Sequence, residues 1–310
     1  MTPLVSIGIP CYNSAAWLRE AIDSALNQTH PAKEVIVVDD GSTDNSLLIA
    51  GAYGDHIVLR RTAHRGANYA RNLILQEAHG EWVQYLDADD YLEPEKIARQ
   101  LSEAQSLEDA DVLYSAVWEM RPNPQGPPEY TRSALDLSRD LYSQWLTWEL
   151  PQTGGCLWRK SALESIEGWR ADQPCCQEHE LYLRALQGGL RFKPTPTSGA
   201  VYRIWSEQTL CRKDPRQVVR VKTRLIDRLQ EWMQKRKTWT EKHRQLAARA
   251  CFEMARTLAR VDLKEAAQYY RERKERGLIL LAGPAAPASY RWAHRVLGFR
   301  GAEALAKAWR

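Results

Sequence analysis

The sequence WVQYLDADD, at residues 82–90, decides the fold that this chain is expected to adopt. Its first five residues are large or β-branched apart from one glutamine, which is typical of a strand buried inside a sheet. Three carboxylates, those of Asp87, Asp89 and Asp90, follow within four residues. Ligands of open α/β sheets bind beyond the carboxyl ends of the strands. The stretch therefore predicts an interior strand that ends at a ligand site.

Carboxylates this close together repel one another unless a positive charge lies between them. A divalent cation that carries a diphosphate would supply that charge, because Mg²⁺ and Mn²⁺ favour carboxylate oxygens. An acidic turn that simply faces water is the alternative, since turns favour aspartate. The position of the carboxylates directly after an apolar run favours the ligand site.

The flanking sequence alternates between strand and helix patterns. Strands are predicted at residues 4–9, 34–38 and 57–60, and helices at residues 14–27 and 67–78. This alternation predicts an α/β fold with a mostly parallel sheet and helices on both faces. Because parallel strands share one carboxyl edge, the turns at residues 10–13, 39–44 and 87–90 should lie side by side. No GxGxxG sequence follows a strand, which argues against dinucleotide binding.

The charge of the chain changes sign along its length. Residues 1–215 contain 20 Lys/Arg and 30 Asp/Glu, whereas residues 216–310 contain 23 Lys/Arg and 9 Asp/Glu. The balances are −10 and +14, which sum to the net charge of +4. Such an asymmetry indicates two regions with different partners.

Residues 216–310 form the basic region, and apolar residues there recur every three or four positions, which predicts helices. The face predicted to be buried in the first helix contains Val218, Val221, Leu225, Leu229 and Trp232, and a last helix is predicted for residues 289–309. One hypothesis is a helical bundle with solvated Lys and Arg. The other is attraction to an anionic membrane surface or a polyprenyl-phosphate carrier, because basic residues with interleaved Trp suit lipid headgroups. No motif favours nucleic-acid binding.

The cysteines indicate a reducing compartment. They are Cys11, Cys156, Cys175, Cys176, Cys211 and Cys251. No CxxC pair or zinc-type His spacing is present, so we expect six reduced thiols in a cytoplasmic protein. The first residues show no signal-like pattern, and no apolar segment approaches the ~20 residues of a membrane helix.

Several motifs in order along the chain resemble one family. They are VSIGIPCYN (5–13), VVDDGSTDNS (37–46), ARN (70–72), LDADD (86–90), GW (168–169), QEHELYLR (177–184) and YR (202–203). Together they resemble the nucleotide-sugar-dependent glycosyltransferases of family 2, which have the GT-A fold, over about residues 4–212. The resemblance implies inverting transfer of a sugar from a nucleoside diphosphate to an acceptor hydroxyl, with Mg²⁺ or Mn²⁺ as cofactor.

The resemblance also assigns residues of the donor site. Pro10 and Tyr12 would line the base pocket. Asp40 would accept a hydrogen bond from the base, with Asp39 as its neighbour, and Arg71 would lie near the nucleotide. The usual Asn before ARN is replaced by His64-Arg65-Gly66, which leaves the contacts there open.

Two further assignments concern the chemistry. Asp87 and Asp89 match the DxD motif, with Asp89 as the direct metal ligand and Asp87 nearer the ribose. Glu178 matches the general base, which accepts the proton of the acceptor hydroxyl. The family commonly has Asp at that position, so Glu180 remains an alternative base. Where many relatives have a metal-binding His, this chain has Ile204-Trp205.

The implied organisation has three parts. Residues 1–110 would bind the nucleotide sugar, residues 111–215 would bind the acceptor and carry the base, and residues 216–310 form the basic helical region. The expected partners are a nucleotide sugar, first a UDP-sugar, and a glycan or lipid-linked acceptor of cell-surface polysaccharide or glycoconjugate synthesis. Peripheral association at the inner face of the membrane is also expected, and nucleic acid is not.

Two alternatives compete with the glycosyltransferase. A nucleotidyltransferase of similar fold would need a glycine-rich loop with Arg or Lys after the first strand, and Pro10-Cys11-Tyr12-Asn13 stands there instead. The second alternative is a non-catalytic protein that binds nucleotide sugars, and it would apply if Glu178 were not positioned to act as the base.

Overall fold

The computed structural model of the protein describes residues 2–104, 108–204 and 214–308. The chain forms two compact units. The first, here called the α/β unit, contains Met1–Leu137 and Leu150–Glu207, and the second, here called the helical unit, contains Ser138–Glu149 and Gln208–Arg310.

The described part of the α/β unit has two sheets. Its strands are β1 (Val5–Cys11), β2 (Lys33–Asp39), β3 (Val58–Arg61), β4 (Trp82–Tyr85), β5 (Tyr91–Leu92), β6 (Val112–Tyr114), β7 (Trp118–Arg121), β8 (Glu129–Arg132), β9 (Cys156–Arg159), β10 (Phe192–Pro194) and β11 (Ala200–Arg203). The larger sheet has the strand order β10-β6-β9-β4-β1-β2-β3, and the smaller has the order β5-β11-β7-β8.

The helices are named in chain order. They are α1 (Leu18–Leu26), α2 (Ser46–Gly51), α3 (Ala67–Glu77), α4 (Lys96–Glu103), α5 (Leu141–Leu146), α6 (Lys160–Ser165), α7 (Gln177–Gln187), α8 (Pro215–Lys235), α9 (Glu241–Ala259), α10 (Leu263–Glu275) and α11 (Ala288–Ala308). Short 3-10 turns occupy Gly54–His56 and Thr153–Gly155.

The larger sheet brings the acidic turns together. Strand β1 pairs in parallel with β2 and with β4, and β2 pairs in parallel with β3, whereas β9 runs antiparallel to β4 and β6. The mostly parallel α/β sheet with C-terminal helices is therefore confirmed. Strand β4 is interior, as predicted, and Trp82 in it is fully buried. The carboxyl ends of β1, β2 and β4 meet at one edge.

A glycine in β1 lets α3 pack closely on the sheet. A Cβ atom at Gly8 would overlap the side chain of Ile74. Ile74 is fully buried, so the absence of a side chain at Gly8 is what allows this approach. The close packing positions the buried side of α3, including Arg71, beside the acidic edge.

Residues 111–118 connect the two sheets of the α/β unit. They form β6, a short turn and the start of β7, and these two strands belong to different sheets. The N–H of Ser115 donates to the carbonyl of Gly155 at 3.1 Å, outside both strands. A Cβ atom at Gly155 would lie 2.7 Å from the carbonyl oxygen of Ser115, so this crossing requires glycine.

Residues 138–149, which the sequence analysis placed with the acceptor half, lie in the helical unit. Helix α5 packs against α9, and Trp145 and Leu146 are fully buried. Asp140 accepts from Ser143 N–H at the start of α5 and from Lys242 Nζ at 3.0 Å. The boundary predicted at residue 110 falls inside the α/β unit, so the division into donor and acceptor halves stays a prediction.

The helical unit buries a slightly different face of α8 from the one predicted. Val221, Leu225 and Leu229 are buried as expected, but Val218 and Trp232 are only half-buried. Val219, Ile226 and Met233 are buried as well, because α8 packs on α9 and also contacts α10, where Thr223 Oγ1 donates to Tyr269 Oη at 3.1 Å. None of the helices in residues 2–104, 108–204 and 214–308 is both long and apolar enough to cross a membrane.

Candidate active site

The turn after β2 is held by its own carboxylate. Asp40 Oδ1 accepts from Thr62 Oγ1 at 2.8 Å and from the N–H of Arg65 at 2.9 Å. Asp40 Oδ2 accepts from the N–H of Gly66 at 2.7 Å and lies 3.1 Å from His64 Nδ1. Both oxygens are therefore used by the loop that follows β3.

Asp39, at the end of β2, is buried but less fully engaged. Its Oδ2 accepts from the N–H of Ser42 at 3.2 Å and lies 3.9 Å from Arg61 Nε. Its Oδ1 is buried and has no hydrogen-bond partner in the described part of the chain. An unpaired buried carboxylate oxygen is costly, which suggests that a ligand donor completes it. Of the two neighbouring acids, Asp39 thus has the available acceptor.

Tyr12 and His64 form an aromatic stack beside this turn. Their ring centroids are 4.0 Å apart with an interplanar angle of 23°, and Tyr12 is 44% exposed. Pro10, two residues earlier, is buried in β1. The turn after β1 is tied to the turn after β2, because Asn13 Oδ1 accepts from the N–H of Thr43 at 2.8 Å. Four of the residues predicted to bind the donor therefore lie together at the ends of β1 and β2, namely Pro10, Tyr12, Asp39 and Asp40.

The turn after β4 is held by side chains from other elements. Arg71 Nη2 donates to Asp87 Oδ1 at 2.8 Å, and Gln152 Nε2 lies 3.3 Å from Asp87 Oδ2 and 3.2 Å from Asp90 Oδ2. Asp90 Oδ1 accepts from the N–H of Arg203 at 2.8 Å. Burial, followed by the charges of Asp87 and Asp89, raises the pKa of Asp90 well above its usual range.

Arg71 connects the acidic turn to the start of α7. Besides Asp87, its Nη1 donates to Gln177 Oε1 at 2.9 Å and to Asn68 Oδ1 at 3.2 Å, and its guanidinium lies 4.6 Å from the ring centroid of Trp169. Burial disfavours the charge, but the carboxylates of Asp87 and Glu178 raise the pKa of Arg71. Arg71 therefore stays cationic between the two acids.

Asp87 and Asp89 fit a metal that arrives with a diphosphate. Both side chains are half-buried, so ligands can reach them. No group of three His, Cys, Asp or Glu residues in the described ranges forms a complete metal site. Mg²⁺ is usually held by one or two carboxylates together with substrate phosphates, so a protein cage is not required. The neighbouring carboxylates of Asp87, Asp89 and Asp90 concentrate negative charge that a cation would offset.

The two candidate bases on α7 differ in their partners. Glu180 is buried and receives two hydrogen bonds from Arg184 Nε, at 2.9 and 2.8 Å, and Arg170 Nε lies 3.5 Å away. Glu178 is half-buried and accepts from Thr153 Oγ1 at 3.2 Å. A base needs a carboxylate that an acceptor can approach. The geometry therefore favours Glu178 over Glu180.

Gln152 and Thr153 were not singled out by sequence reasoning, although they link the two ends of the site. Gln152 contacts both Asp87 and Asp90, and Thr153 contacts Glu178. The available signal was the pair Gly154-Gly155 that follows. Single polar residues in a loop carry no spacing pattern, so only the fold reveals their partners.

An α/β sheet with two acidic turns at one edge, and the carboxylates at the start of α7 beside them, defines an α/β protein of GT-A type with a candidate ligand site at that edge. Residues 6–166 match the family model described as glycosyl transferase family 2. Because this match covers more than half of the 310 residues, the chain belongs to that family. The resemblance drawn from the motifs, and the glycosyltransferase class that it implies, are thereby confirmed.

Curated relatives match part of the chain. An uncharacterized glycosyltransferase of Rickettsia typhi is 42% identical over 119 residues, which are 38% of this chain and 37% of that protein. The chondroitin synthase of Pasteurella multocida is 37% identical over 144 residues, which are 43% of this chain and 15% of the synthase. The matched part therefore spans well under half the length of each relative.

Solved structures resemble the chain over most of its length. S. aureus TarS 1–349 in complex with UDP-GlcNAc has a TM-score of 0.57 at 19% identity, and the match covers 88% of this chain and 92% of that chain. The mannosyltransferase PcManGT of Pyrobaculum calidifontis, in complex with GDP-Man and Mn²⁺, has a TM-score of 0.53 at 18% identity, and the match covers 100% and 88%. These likenesses show the GT-A glycosyltransferase fold.

Proposed function

We propose that the protein transfers a sugar from a nucleoside diphosphate sugar to an acceptor hydroxyl, with inversion and with the help of a divalent metal. The observation that carries this proposal is the position of Arg71. It donates to Asp87 of the acidic turn and to Gln177, the residue before Glu178. One buried cation thus joins the acidic turn to the start of α7, so the proposed metal-binding carboxylates and the proposed base belong to one site.

The nucleotide would bind at the turns after β1 and β2. Tyr12 offers an aromatic face, and the unpartnered Oδ1 of Asp39 offers an acceptor for an N–H of the base. Asp40 would act mainly by shaping the loop at residues 62–66, since its oxygens already have partners there. We propose a UDP-sugar as donor, in line with the UDP-GlcNAc complex of TarS. Because PcManGT forms a complex with GDP-Man, a donor screen should also contain guanine nucleotide sugars.

Asp89 and Asp87 would hold Mn²⁺ or Mg²⁺, the former being the ion in the PcManGT complex. Such an ion acts as a Lewis acid that neutralises charge on the leaving diphosphate. Arg71 keeps Asp87 in place, and Gln152 spans Asp87 and Asp90. These contacts fix the turn before any ligand arrives.

Glu178 would accept the proton of the acceptor hydroxyl as its oxygen bonds to the anomeric carbon and the bond to the diphosphate breaks. A hydroxyl is a weak nucleophile until its proton is being removed, so the position of this carboxylate sets the rate. Thr153 donates to Glu178 Oε1 and thereby limits its rotation. No covalent intermediate is needed, because one displacement gives the inverted product.

The test compares two substitutions on α7. Glu178→Gln keeps size and polarity but cannot accept the proton, so turnover should fall by roughly 10²–10⁴-fold while donor affinity stays near that of the wild type. Glu180→Gln weakens the pair with Arg184 and should lower thermal stability while catalysis by the folded protein persists. Loss of turnover in Glu180→Gln, with Glu178→Gln active and equally stable, would reverse the assignment.

The acceptor is proposed from the chemistry of the relatives. Part of this chain matches the chondroitin and hyaluronan synthases of Pasteurella multocida, so a growing glycan is the first acceptor class to test, followed by a lipid-linked sugar. The role would be cell-surface polysaccharide or glycoconjugate synthesis. We also propose a cytoplasmic location, in line with the buried thiols of Cys11, Cys156, Cys175, Cys176 and Cys251, while Cys211 lies outside the described residues.

A further inference from the structure

Helix α11 presents a group of large apolar side chains to the surface. Trp292 is 66% exposed, Val296 is 60% exposed and Leu297 is 51% exposed. Trp292 and Val296 are four residues apart and therefore neighbours on the helix surface, and Leu297 directly follows Val296. Exposed apolar groups of this size commonly mark an interaction site.

The opposite side of α11 is firmly packed within the helical unit. Tyr290 and Phe299 are buried, and the Phe299 ring stacks on Tyr270 with centroids 4.4 Å apart. Tyr290 Oη also donates to Glu303 Oε1 at 2.7 Å. Gly298 interrupts α11 with non-helical backbone angles (φ 66°, ψ −176°), but Tyr290 before it and Phe299 after it are both buried. The exposure of Trp292 is therefore not the result of an unattached helix.

The surroundings of the exposed side chains are strongly basic. Arg291, Arg295 and Arg300 are all exposed, and no Asp or Glu occurs between residues 277 and 302. Arg291 donates to the carbonyl of Ala286, which leaves its charge intact. In the described ranges of the chain, no carboxylate forms an ion pair with these three arginines.

The other tryptophans of the basic region do not share this exposure. Trp232 is half-buried, lies 5.9 Å from the Tyr142 ring and is covered by the Arg236 guanidinium at 4.2 Å. Trp239 is half-buried and lies 6.0 Å from the His243 ring. Trp309 lies outside the described residues. Among the tryptophans of the basic region that the structure describes, Trp292 is therefore the one exposed enough to make an apolar contact with a lipid surface.

We propose that Trp292, Val296 and Leu297, together with Arg291, Arg295 and Arg300, form a docking surface for an anionic lipid bilayer, here called the α11 surface. Tryptophan and arginine suit the headgroup region, where the ring enters the boundary and the guanidinium meets lipid phosphate. A second copy of this surface is a poorer occupant, because pairing two such surfaces would bring six arginines together. The proposal does not rest on the proposed reaction.

Vesicle co-sedimentation of the full-length chain tests the apolar part. Binding is expected to vesicles of mixed phosphatidylcholine and phosphatidylglycerol, and to be much weaker to pure phosphatidylcholine. The double variant Trp292→Ser/Val296→Ser should bind the anionic vesicles roughly tenfold more weakly. The matched control is Leu48→Ser, since Leu48 on α2 is 74% exposed but lies in a stretch, residues 34–59, without Lys or Arg. Its binding should equal that of the wild type.

Substitution of the arginines tests the electrostatic part. Arg295→Gln and Arg300→Gln should each weaken binding about fivefold at low salt, with smaller effects at high salt. The control is Arg99→Gln, an exposed arginine that is paired with Glu95 on α4. Equal loss in Arg99→Gln would mean that only net charge matters, and would overturn the α11 surface.

Two further outcomes would also overturn the proposal. The first is unchanged vesicle binding by Trp292→Ser/Val296→Ser when circular dichroism shows a native fold. The second is a wild-type dimer in analytical ultracentrifugation that this double variant converts to a monomer, because the α11 surface would then bind a second copy. Far-UV circular dichroism and thermal melting of each variant separate loss of binding from loss of folding.

Discussion

The turns after β2 and β4 lie at the same sheet edge and both contain adjacent carboxylates, yet the two are held in different ways. Backbone N–H groups of Arg65 and Gly66 occupy Asp40, so the first turn is closed by its neighbouring loop. Side chains of Arg71 and Gln152 hold the second turn through Asp87. The first arrangement makes the turn after β2 rigid, and the second leaves carboxylates in the turn after β4 whose partners can be exchanged for a ligand.

Only the first of these two turns contains a glycine. Gly41, beside Asp40, has a φ of +78°, and a Cβ atom there would lie 2.9 Å from the backbone nitrogen of His64. The backbone of the first turn thus packs directly against the backbone of residues 62–64. No glycine lies between Asp87 and Asp90 in the second turn. Similar acid content therefore does not indicate similar function.

The largest expected effect comes from removing the cation that holds the second turn. Arg71→Met would leave Asp87 without its buried partner, so the free energy of unfolding should fall by about 3–5 kcal/mol, as in other broken buried pairs. The contrasting variant is Arg99→Met, whose exposed pair with Glu95 on one helix is worth about 0.3–0.5 kcal/mol. Urea denaturation of both measures the difference. Similar stability losses in the two variants would mean that Arg71 does not hold the turn.

The next effect separates binding from folding. Asp89→Ala should lower Mn²⁺-dependent affinity for the nucleotide sugar by on the order of 100-fold or more, because a metal contact to the diphosphate is lost. Its melting temperature should change little, since Asp89 is half-buried in a turn. Calorimetry with and without Mn²⁺ measures both quantities. Asp55→Ala, at an exposed acid, is the control, and unchanged Mn²⁺-dependent affinity in Asp89→Ala would refute the metal assignment.

For the turn after β2, we expect a loss of stability rather than a loss of affinity. Asp40→Ala removes the acceptor of two backbone N–H groups and should destabilise the fold by about 2 kcal/mol. Donor affinity of the remaining folded protein should fall much less than in Asp39→Asn. If Asp40→Ala instead lost affinity at unchanged melting temperature, the original assignment of Asp40 to the nucleotide base would be correct.

The last expected effect is a pH dependence beside β4, which is small within any one pH unit. Burial lowers the pKa of Lys96, which donates to Gln84 of β4, from the ordinary 10.5 to about 7. Above pH 7 the unfolded chain then binds a proton that the folded chain does not, so stability rises with pH up to the unfolded pKa and is lost as pH falls toward 7. The slope is at most about 1.4 kcal/mol per pH unit. Lys96→Met should remove this slope, and parallel stability curves for the two proteins between pH 7 and 10 would contradict it.

Period-two and helical patterns predicted much of this fold, and the confirmed strands show why. The apolar run of β4 and the β-branched run of β2 each occur beside a clear turn, so their position in a parallel sheet follows from local sequence. Short strands such as β9 and β10 carry too few residues for a pattern. Their pairing depends on contacts distant in sequence.

The site was predictable where one motif contains all of the relevant atoms. Asp87 and Asp89 follow directly from LDADD, whereas the choice between Glu178 and Glu180 depends on Arg184, which pairs with only one of them. Likewise, nothing near Asp40 reveals that residues 62–66 occupy its oxygens. Hydrogen-bond partners far apart in the chain become visible only in the folded structure.

The assignment of Ser138–Glu149 to the helical unit affects how the protein can be divided. The chain passes between the two units at residues 137/138, 149/150 and 207/208, so one proteolytic cut does not release either unit as a separate piece. A fragment that ends near residue 207 would retain Trp145 and Leu146 without the helix α9 that packs on them. Such a fragment would expose apolar surface and aggregate. Lost activity after such a truncation would therefore not assign a catalytic role to the removed helices, and chimaeras that exchange the C-terminal third should carry residues 138–149 with it.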